Sequence, residues 1–410
     1  MLDSANLWRQ IQFSGRYLVV LLRKCLVFRQ FWHIPSQSLW PYWPIRVAAA
    51  LLLMGLAGCG SPRYDMIRGA TMGTYYAVHF AAGESCAINQ QQIEASLKAV
   101  NDAMSTYQAD SELSLINQSL AYQNNVLSSD LRFVMDAALQ LAGRSGGAFD
   151  VTVGPLVNLW GFGPQAQTQA PSAKAQAMAS KAVGMEHLTL DGSRLVKHLD
   201  SVYIDLSALG KGFAVDQLAD LLADMGCVSY MVDIGGEIRV AGLSPRGEVW
   251  RIGVEVPDPS RFGMFQTVLE VTDNSVATSG DYRNYRVVDG RRIDHVIDPR
   301  SGSPANNTVV SVTILHPSAM WADAYATTLM VLGLDAGMRF AEQEGLAAYV
   351  IARLPQGDLV TDDMLIDVLP ADPLSSAEPA AEERFEFRYT SAMQPYLPAA
   401  LSNAVMMDGQ

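Results

Sequence analysis

Residues Tyr230 to Ala241 read YMVDIGGEIRVA. Two short runs rich in apolar and β-branched residues, Tyr230 to Ile234 and Glu237 to Ala241, flank Gly235-Gly236 and predict two strands. Adjacent glycines after a strand either close a turn or bring the backbone close to a ligand, and both readings stay open. Further strands are expected on either side: Thr74 to Phe80, Val249 to Val256, Phe265 to Val271, Tyr285 to Val288, Val309 to Leu315 and Ala347 to Ala352. Asp289-Gly290 is a hairpin turn that returns the chain as Arg291 to Val296. Helices are expected over Gln91 to Met104, Ser129 to Gly146, Gly212 to Met225 and Ser318 to Leu332, two of them stopped by glycine. Strands outnumber helices and several are hairpin-linked, so the fold class is α+β with antiparallel sheets and packed helices. Pro164 to Ala182, rich in Gln and Ala, reads as a surface insertion of weak helical character. Pro370 to Glu383 reads as a linker before a last strand, Arg384 to Tyr389.

The chain has 410 residues, 49% hydrophobic and 17% charged, enough for a sizeable core. Its 29 Lys and Arg against 42 Asp and Glu give a net charge of −13, which argues against nucleic acid as a partner. Val47 to Gly58 is a short apolar run after Arg46 that ends in Leu-Ala-Gly-Cys59, the pattern of a lipoprotein signal peptide. It falls short of the roughly 20 residues that span a bilayer. The expected organisation is therefore a removed leader over 1–58, a lipidated linker over 59–67 beginning at Cys59, a main domain over 68–369 and a C-terminal extension over 370–410. Residues 1–44 do not resemble an ordinary leader, and a translation start placed upstream of the true one explains them. Of the 4 cysteines, Cys86 and Cys227 remain in the mature chain, and the sequence leaves open whether they pair.

Four segments contain residues suited to chemistry. In WADAYAT, Asp323 and Thr327 are four apart, so a helix stacks their oxygens on one face. Such a pair suits a hard cation such as Mg²⁺, and also occurs on solvent-facing helices. In DLSALGKGFA, Lys211 follows a small-residue turn at a helix start, where free N–H groups attract anions. The glycine and lysine spacing is not that of a Walker loop. The stretch SGGAFDVTVGPLVNLWGFGP, Ser145 to Pro164, combines glycine, proline and aromatics around Asp150, suiting either a planar ligand or a compact turn. His295 stands among carboxylates in RIDHVIDP, in a position to act as an acid or base near neutral pH or to serve structure alone. No zinc spacing and no hydrolase motif occurs.

Taken together, eight segments in order resemble the FAD:protein FMN transferase (ApbE) family, once called thiamine-biosynthesis lipoproteins. They are GATMGTYY from Gly69, MSTYQADSELSLIN from Met104, GGAFDVTVGPLVNLWGFG from Gly146, IDLSALGKGFAVD from Ile204, VDIGGEIRVAG from Val232, ATSGDYRNY from Ala277, HVIDPRSG from His295 and WADAYATTLMVLG from Trp321. The resemblance implies two intertwined units of the tetrahydrobiopterin-synthase-like T-fold. It implies Mg²⁺ on Asp323, Thr327 and the Ala208 carbonyl. FAD would be lined by Met72, Tyr107, Gln108, Ala109, Asp150, Lys211, His295 and Val296. His295 and Asp323 would be the catalytic pair, with His295 the base for an acceptor hydroxyl. The implied reaction moves FMN from FAD to a Thr or Ser hydroxyl of an acceptor flavoprotein, a membrane redox-pump subunit or a secreted protein, and releases AMP. The implied location is the periplasmic face of the cell membrane, the inner membrane favoured, through the lipid on Cys59. A lipoprotein that binds FAD without using it, or hydrolyses its pyrophosphate, is the alternative.

Overall fold

The computed structural model describes residues 63–83, 86–165, 169–257, 263–281, 285–288, 291–354 and 384–398. The expected leader, Cys59, the Asp289-Gly290 turn and the linker over 370–383 lie outside them. The principal sheet has eight strands: β1 (Tyr64–Thr71), β2 (Thr74–Ala81), β3 (Tyr230–Ile234), β4 (Glu237–Ala241), β7 (Asn274–Gly280), β8 (Val309–His316), β9 (Ala347–Arg353) and β10 (Phe385–Tyr389). Two more, β5 (Trp250–Glu255) and β6 (Phe265–Val271), form a separate hairpin. The order in the principal sheet is β1-β2-β3-β4-β7-β8-β9-β10. Every neighbouring pair is antiparallel, as the hairpin-linked runs of the sequence predict.

The hairpin over Tyr230–Ala241 forms with Gly235 at φ 62° and Gly236 at φ 106°, so the glycine pair closes a turn that needs left-handed backbone. Two strands of the principal sheet went unforeseen. Residues 64–67, read as the end of a linker, belong to β1 and pair with β2. The β7 segment NSVATSG is mostly polar, yet it is central in the sheet between β4 and β8. Its ladder partners, not its own propensity, make it a strand. At the other end, β10 pairs with β9, so part of the expected extension completes the sheet edge.

The sheet separates two cores. Along β9, Ala348 and Val350 enter one core while Ala347, Tyr349 and Ile351 enter the other, the two-residue alternation of a strand covered on both faces. The first core is filled by helices α1 (Gln90–Met104), α2 (Glu112–Gln118), α3 (Ser129–Arg144), α6 (Ser207–Asp224) and α7 (Ala319–Leu332). The second lies under the β5–β6 hairpin, β10 and the turn at Ser391–Tyr396. Two short helices, α4 (Gly154–Leu159) and α5 (Ala173–Ser180), pack together at the rim, and α5 is the helical part of the Gln/Ala insertion. Cys86 and Cys227 are joined by a disulfide. Among the described residues no helix is long and apolar enough to cross a membrane.

Helix α7 is buried nearly all round, as a run of mean apolar character on every face must be. Helix α6 starts five residues earlier than glycine-based reading predicts, because Ser207 to Lys211 are already helical. Asp205 makes this start possible: its carboxylate accepts from the Ser207 N–H at 2.8 Å and the Ser207 hydroxyl at 2.5 Å. Gly212 is then where the helices α6 and α7 touch, since a Cβ there would lie 2.3 Å from the Ala319 carbonyl oxygen.

Candidate active site

The seat of α7 is built from α6. The Asp216 carboxylate accepts from the Ser318 hydroxyl at 2.6 Å, the Ala319 N–H at 2.9 Å and the Met320 N–H at 3.0 Å. It thus satisfies donors that a helix start leaves open and places negative charge at the positive end of the helix dipole. Arg239 of β4 holds the same carboxylate at 2.6 Å. With its first turn anchored and Gly212 against its backbone, α7 brings Asp323 to α6. Asp323 is 3% exposed, and its Oδ2 accepts from the Gly212 N–H at 3.2 Å.

Lys211, Asp323 and Glu237 form one charge array. The Lys211 ammonium is 2.8 Å from Glu237 Oε1 and 3.6 Å from Asp323 Oδ2. Burial works against the charge of Lys211, but the two carboxylates more than offset it and its pKa rises. Glu237 is pushed up from the usual carboxylate range by burial, with Asp323 adding to the rise and Lys211 opposing it. Its Oε2 is buried and has no hydrogen-bond partner among the described residues. Two buried carboxyl groups thus share one ammonium, and a further cation would favour the ionised form of both.

Thr327 is one turn beyond Asp323 on α7 and half-buried, with its hydroxyl 3.4 Å from that of Ser279 on β7. The Ala208 carbonyl belongs to the first turn of α6, one turn before Gly212. Carboxylate, hydroxyl and carbonyl are all hard oxygen donors. Among the described residues no three His, Cys, Asp or Glu side chains gather as a metal-holding group, so a cation here would keep much of its water, as Mg²⁺ does. The donor chemistry of Asp323, Thr327 and the Ala208 carbonyl fits Mg²⁺. The open helix start expected beside Lys211 is not realised in that form. The Ser207 N–H is taken by Asp205, and the Leu209 and Gly210 N–H groups donate to the Leu206 carbonyl. The positive charge near this helix start is the Lys211 ammonium, itself paired with Glu237 and Asp323.

A second group of residues gathers aromatic surface. The Tyr107 ring is 70% exposed, and its hydroxyl donates to the Phe162 carbonyl at 3.4 Å. Phe162 meets the His295 ring edge-on at 6.3 Å between centroids. Partial burial and then the charge of Asp205 raise the Tyr107 phenol pKa. Gln108 and Ala109 share its exposed turn, where the Ser105 hydroxyl oxygen accepts from the N–H groups of Tyr107 and Gln108. Trp160 is pinned by its indole N–H on the Gly302 carbonyl at 3.0 Å, and its own carbonyl accepts from Arg286 at 3.1 Å. Val296 is buried, its N–H held by Asp294 and its carbonyl by Ala305.

Two expected FAD contacts carry structural duties as well. Asp150 accepts from the N–H and hydroxyl of Thr152 at 2.7 and 2.5 Å, and burial raises its pKa. Met72 is at φ 50°, paired with Gly73 at φ 73° in the two-residue turn between β1 and β2. Left-handed backbone at a methionine costs strain, which this tight hairpin imposes. A groove of about 410 Å³ beside α4 and α5 is bordered by Asn158, Leu159, Met178 and Tyr203. Sequence reading missed Glu237, Asp216 and Ser279. All three lie within the segments quoted for the family resemblance, but only the fold shows that they meet α6 or α7.

The ApbE family model matches residues 72–350. A Vibrio cholerae protein named FAD:protein FMN transferase is 44% identical over 320 residues, covering 77% of this chain and 95% of that protein. Its Escherichia coli K12 namesake is 36% identical over 325 residues, covering 76% and 92%. Among solved structures, the flavin transferase ApbE from Vibrio cholerae superposes with a TM-score of 0.71 at 39% identity, covering 82% of this chain and 100% of that one. The apo form of Pseudomonas stutzeri flavinyl transferase ApbE gives 0.71 at 33% identity, covering 83% and 99%. The match spans both the Lys211–Asp323–Glu237 array and the Tyr107–Phe162–His295 group, and the chain belongs to the ApbE family.

Proposed function

We propose that the chain moves FMN from FAD to a Thr or Ser hydroxyl of an acceptor protein, with Mg²⁺ at Asp323 and Thr327 and release of AMP. Flavin transfer from FAD to a protein is the activity for which its relatives are named. The observation that carries the finer reading is the Asp323–Lys211–Glu237 array, with Thr327 a helical turn from Asp323. When bound, Mg²⁺ would neutralise pyrophosphate oxygens and make the phosphorus more electrophilic. Lys211 adds a positive charge for the same phosphates, and Gly212 holds the Asp323 carboxylate in place. Tyr107, Phe162 and Trp160 provide aromatic surface for the isoalloxazine ring. The acceptor hydroxyl oxygen forms a bond to the FMN phosphorus while the bond to the AMP oxygen breaks. His295 takes the hydroxyl proton, and the AMP phosphate leaves with the electron pair. The chain itself offers no covalent nucleophile in this scheme, so positioning and charge supply the rate.

The Cys86–Cys227 disulfide supports an oxidising, extracytoplasmic compartment. We extend the proposal to a periplasmic enzyme anchored through lipid on Cys59, acting on a membrane or secreted flavoprotein. The test incubates the full chain with FAD, Mg²⁺ and a candidate acceptor, reading in-gel flavin fluorescence and acceptor mass. An FMN adduct on the acceptor that is lost with Asp323→Ala is the expected result. Free FMN and AMP without an adduct would point to hydrolysis. Undiminished transfer by Asp323→Ala would remove the cation from its proposed seat.

A further inference from the structure

Glu237 is given no chemical step in the scheme above, although it belongs to the charge array that supports it. It is 3% exposed at the start of β4, binds the Lys211 ammonium at 2.8 Å through Oε1, and leaves Oε2 buried and unpartnered among the described residues. A carboxylate placed only to brace the fold would be costly in this form, since an unsatisfied buried oxygen keeps its desolvation penalty. Asp323, the other carboxylate, stands 3.6 Å from the same ammonium. The lysine is therefore drawn toward Glu237 and away from Asp323.

We infer that Glu237 is a positioning residue: it holds the Lys211 ammonium off Asp323, so that the Asp323 carboxylate stays open to a divalent cation while Lys211 faces phosphate. The inference rests on the assignment of Asp323 as a cation ligand. Without the charge on Glu237, Lys211 has a single anionic neighbour and closes on it to ordinary ion-pair distance, near 2.8 Å. An ammonium at that distance competes with the cation for the same oxygen. Charge pairs in contact couple strongly enough for the competition to be measured.

The experiment is calorimetric titration of Mg²⁺ alone into the full chain without FAD, for the wild type, Asp323→Ala, Glu237→Gln, Lys211→Met and the double variant Lys211→Met/Glu237→Gln. Melting temperatures accompany each titration. Glu237→Gln is expected to raise the Mg²⁺ Kd about tenfold. In the Lys211→Met background the same substitution is expected to change the Kd less than about twofold, because the residue through which Glu237 acts is gone. Glu237→Asp, which keeps the charge, is expected to stay within about threefold of wild type, and it serves as the second variant if Glu237→Gln melts early. Wild-type Mg²⁺ affinity in Glu237→Gln, or an equal loss with and without Lys211, would overturn the inference while leaving Asp323 in its role. Equal Mg²⁺ binding by wild type and Asp323→Ala would overturn the cation assignment itself, and this inference with it.

Discussion

The substitution Gly212→Ala isolates the contact on which the site is built. An ideal Cβ at Gly212 would be 2.3 Å from the Ala319 carbonyl oxygen and 2.6 Å from the Met320 Cα, where ordinary contacts begin at 3.4 Å. Both obstacles are backbone, so neither can swing aside, and α6 and α7 must separate by about 1 Å. Overpacking of this kind costs about 1–3 kcal/mol. At about 3 °C per kcal/mol for a domain of this size, the melting temperature should fall by about 3–9 °C. Gly210, one half-turn earlier on the same helix, has nothing within 4 Å of its ideal Cβ. Gly210→Ala should therefore leave stability unchanged or raise it by up to about 1 kcal/mol of helix propensity, a melting-temperature gain of up to about 3 °C. Scanning calorimetry on the two variants in the absence of FAD and Mg²⁺ decides the matter. Equal shifts of the same sign would show that helix approach does not govern this region, and the account of how Asp323 is placed would fall with it.

Three further outcomes follow from the same geometry. His295→Ala should lower transfer by about 100-fold or more, the scale of a lost general base, with FAD affinity changing less than tenfold; matching losses in both measurements would make His295 a binding residue only. Burial lowers the His316 pKa below 6.5 and outweighs the backbone hydrogen bond with Ser318, which raises it, so folding favours the neutral ring. A depressed base gives stability that is present above pH 6.5 and lost as pH falls through the folded value. His316→Gln should therefore flatten the decline in melting temperature between pH 7.5 and 5.5, and an unchanged slope would refute it. Cys86→Ser opens a bridge spanning 141 residues, and chain entropy sets the loss at about 5 kcal/mol. Denaturant titration with and without reductant should show the loss for wild type and none for the variant.

The parts of the fold written locally were legible in the sequence. The hairpin over Tyr230–Ala241 has its glycine pair at the turn, and α7 has Ser318 as its N-cap. Strand β7 was not legible, because NSVATSG owes its conformation to β4 and β8, which are distant in sequence. The start of α6 was hidden for a related reason. Gly210 and Gly212 read as a turn, whereas Asp205 accepts from Ser207 at the helix start and the backbone of α7 demands the absence of a side chain at Gly212. Within the site, Asp323 and Thr327 were visible as an i, i+4 pair. Glu237 and Asp216 were not, since an acidic residue near a glycine turn or within a helix carries no mark of the partner that it will meet.

Strand β4 bears Glu237 and Arg239 two residues apart, hence on one side, and they grasp Lys211 and Asp216 of α6. Those two residues in turn touch Asp323 and cap the first turn of α7. A slip of β4 by a single residue would turn both side chains to the opposite side of the sheet. It would part Glu237 from Lys211 and Arg239 from Asp216 together. The register of β4 and the charges on α6 therefore check one another: a misregistered molecule would forfeit two ion pairs at once.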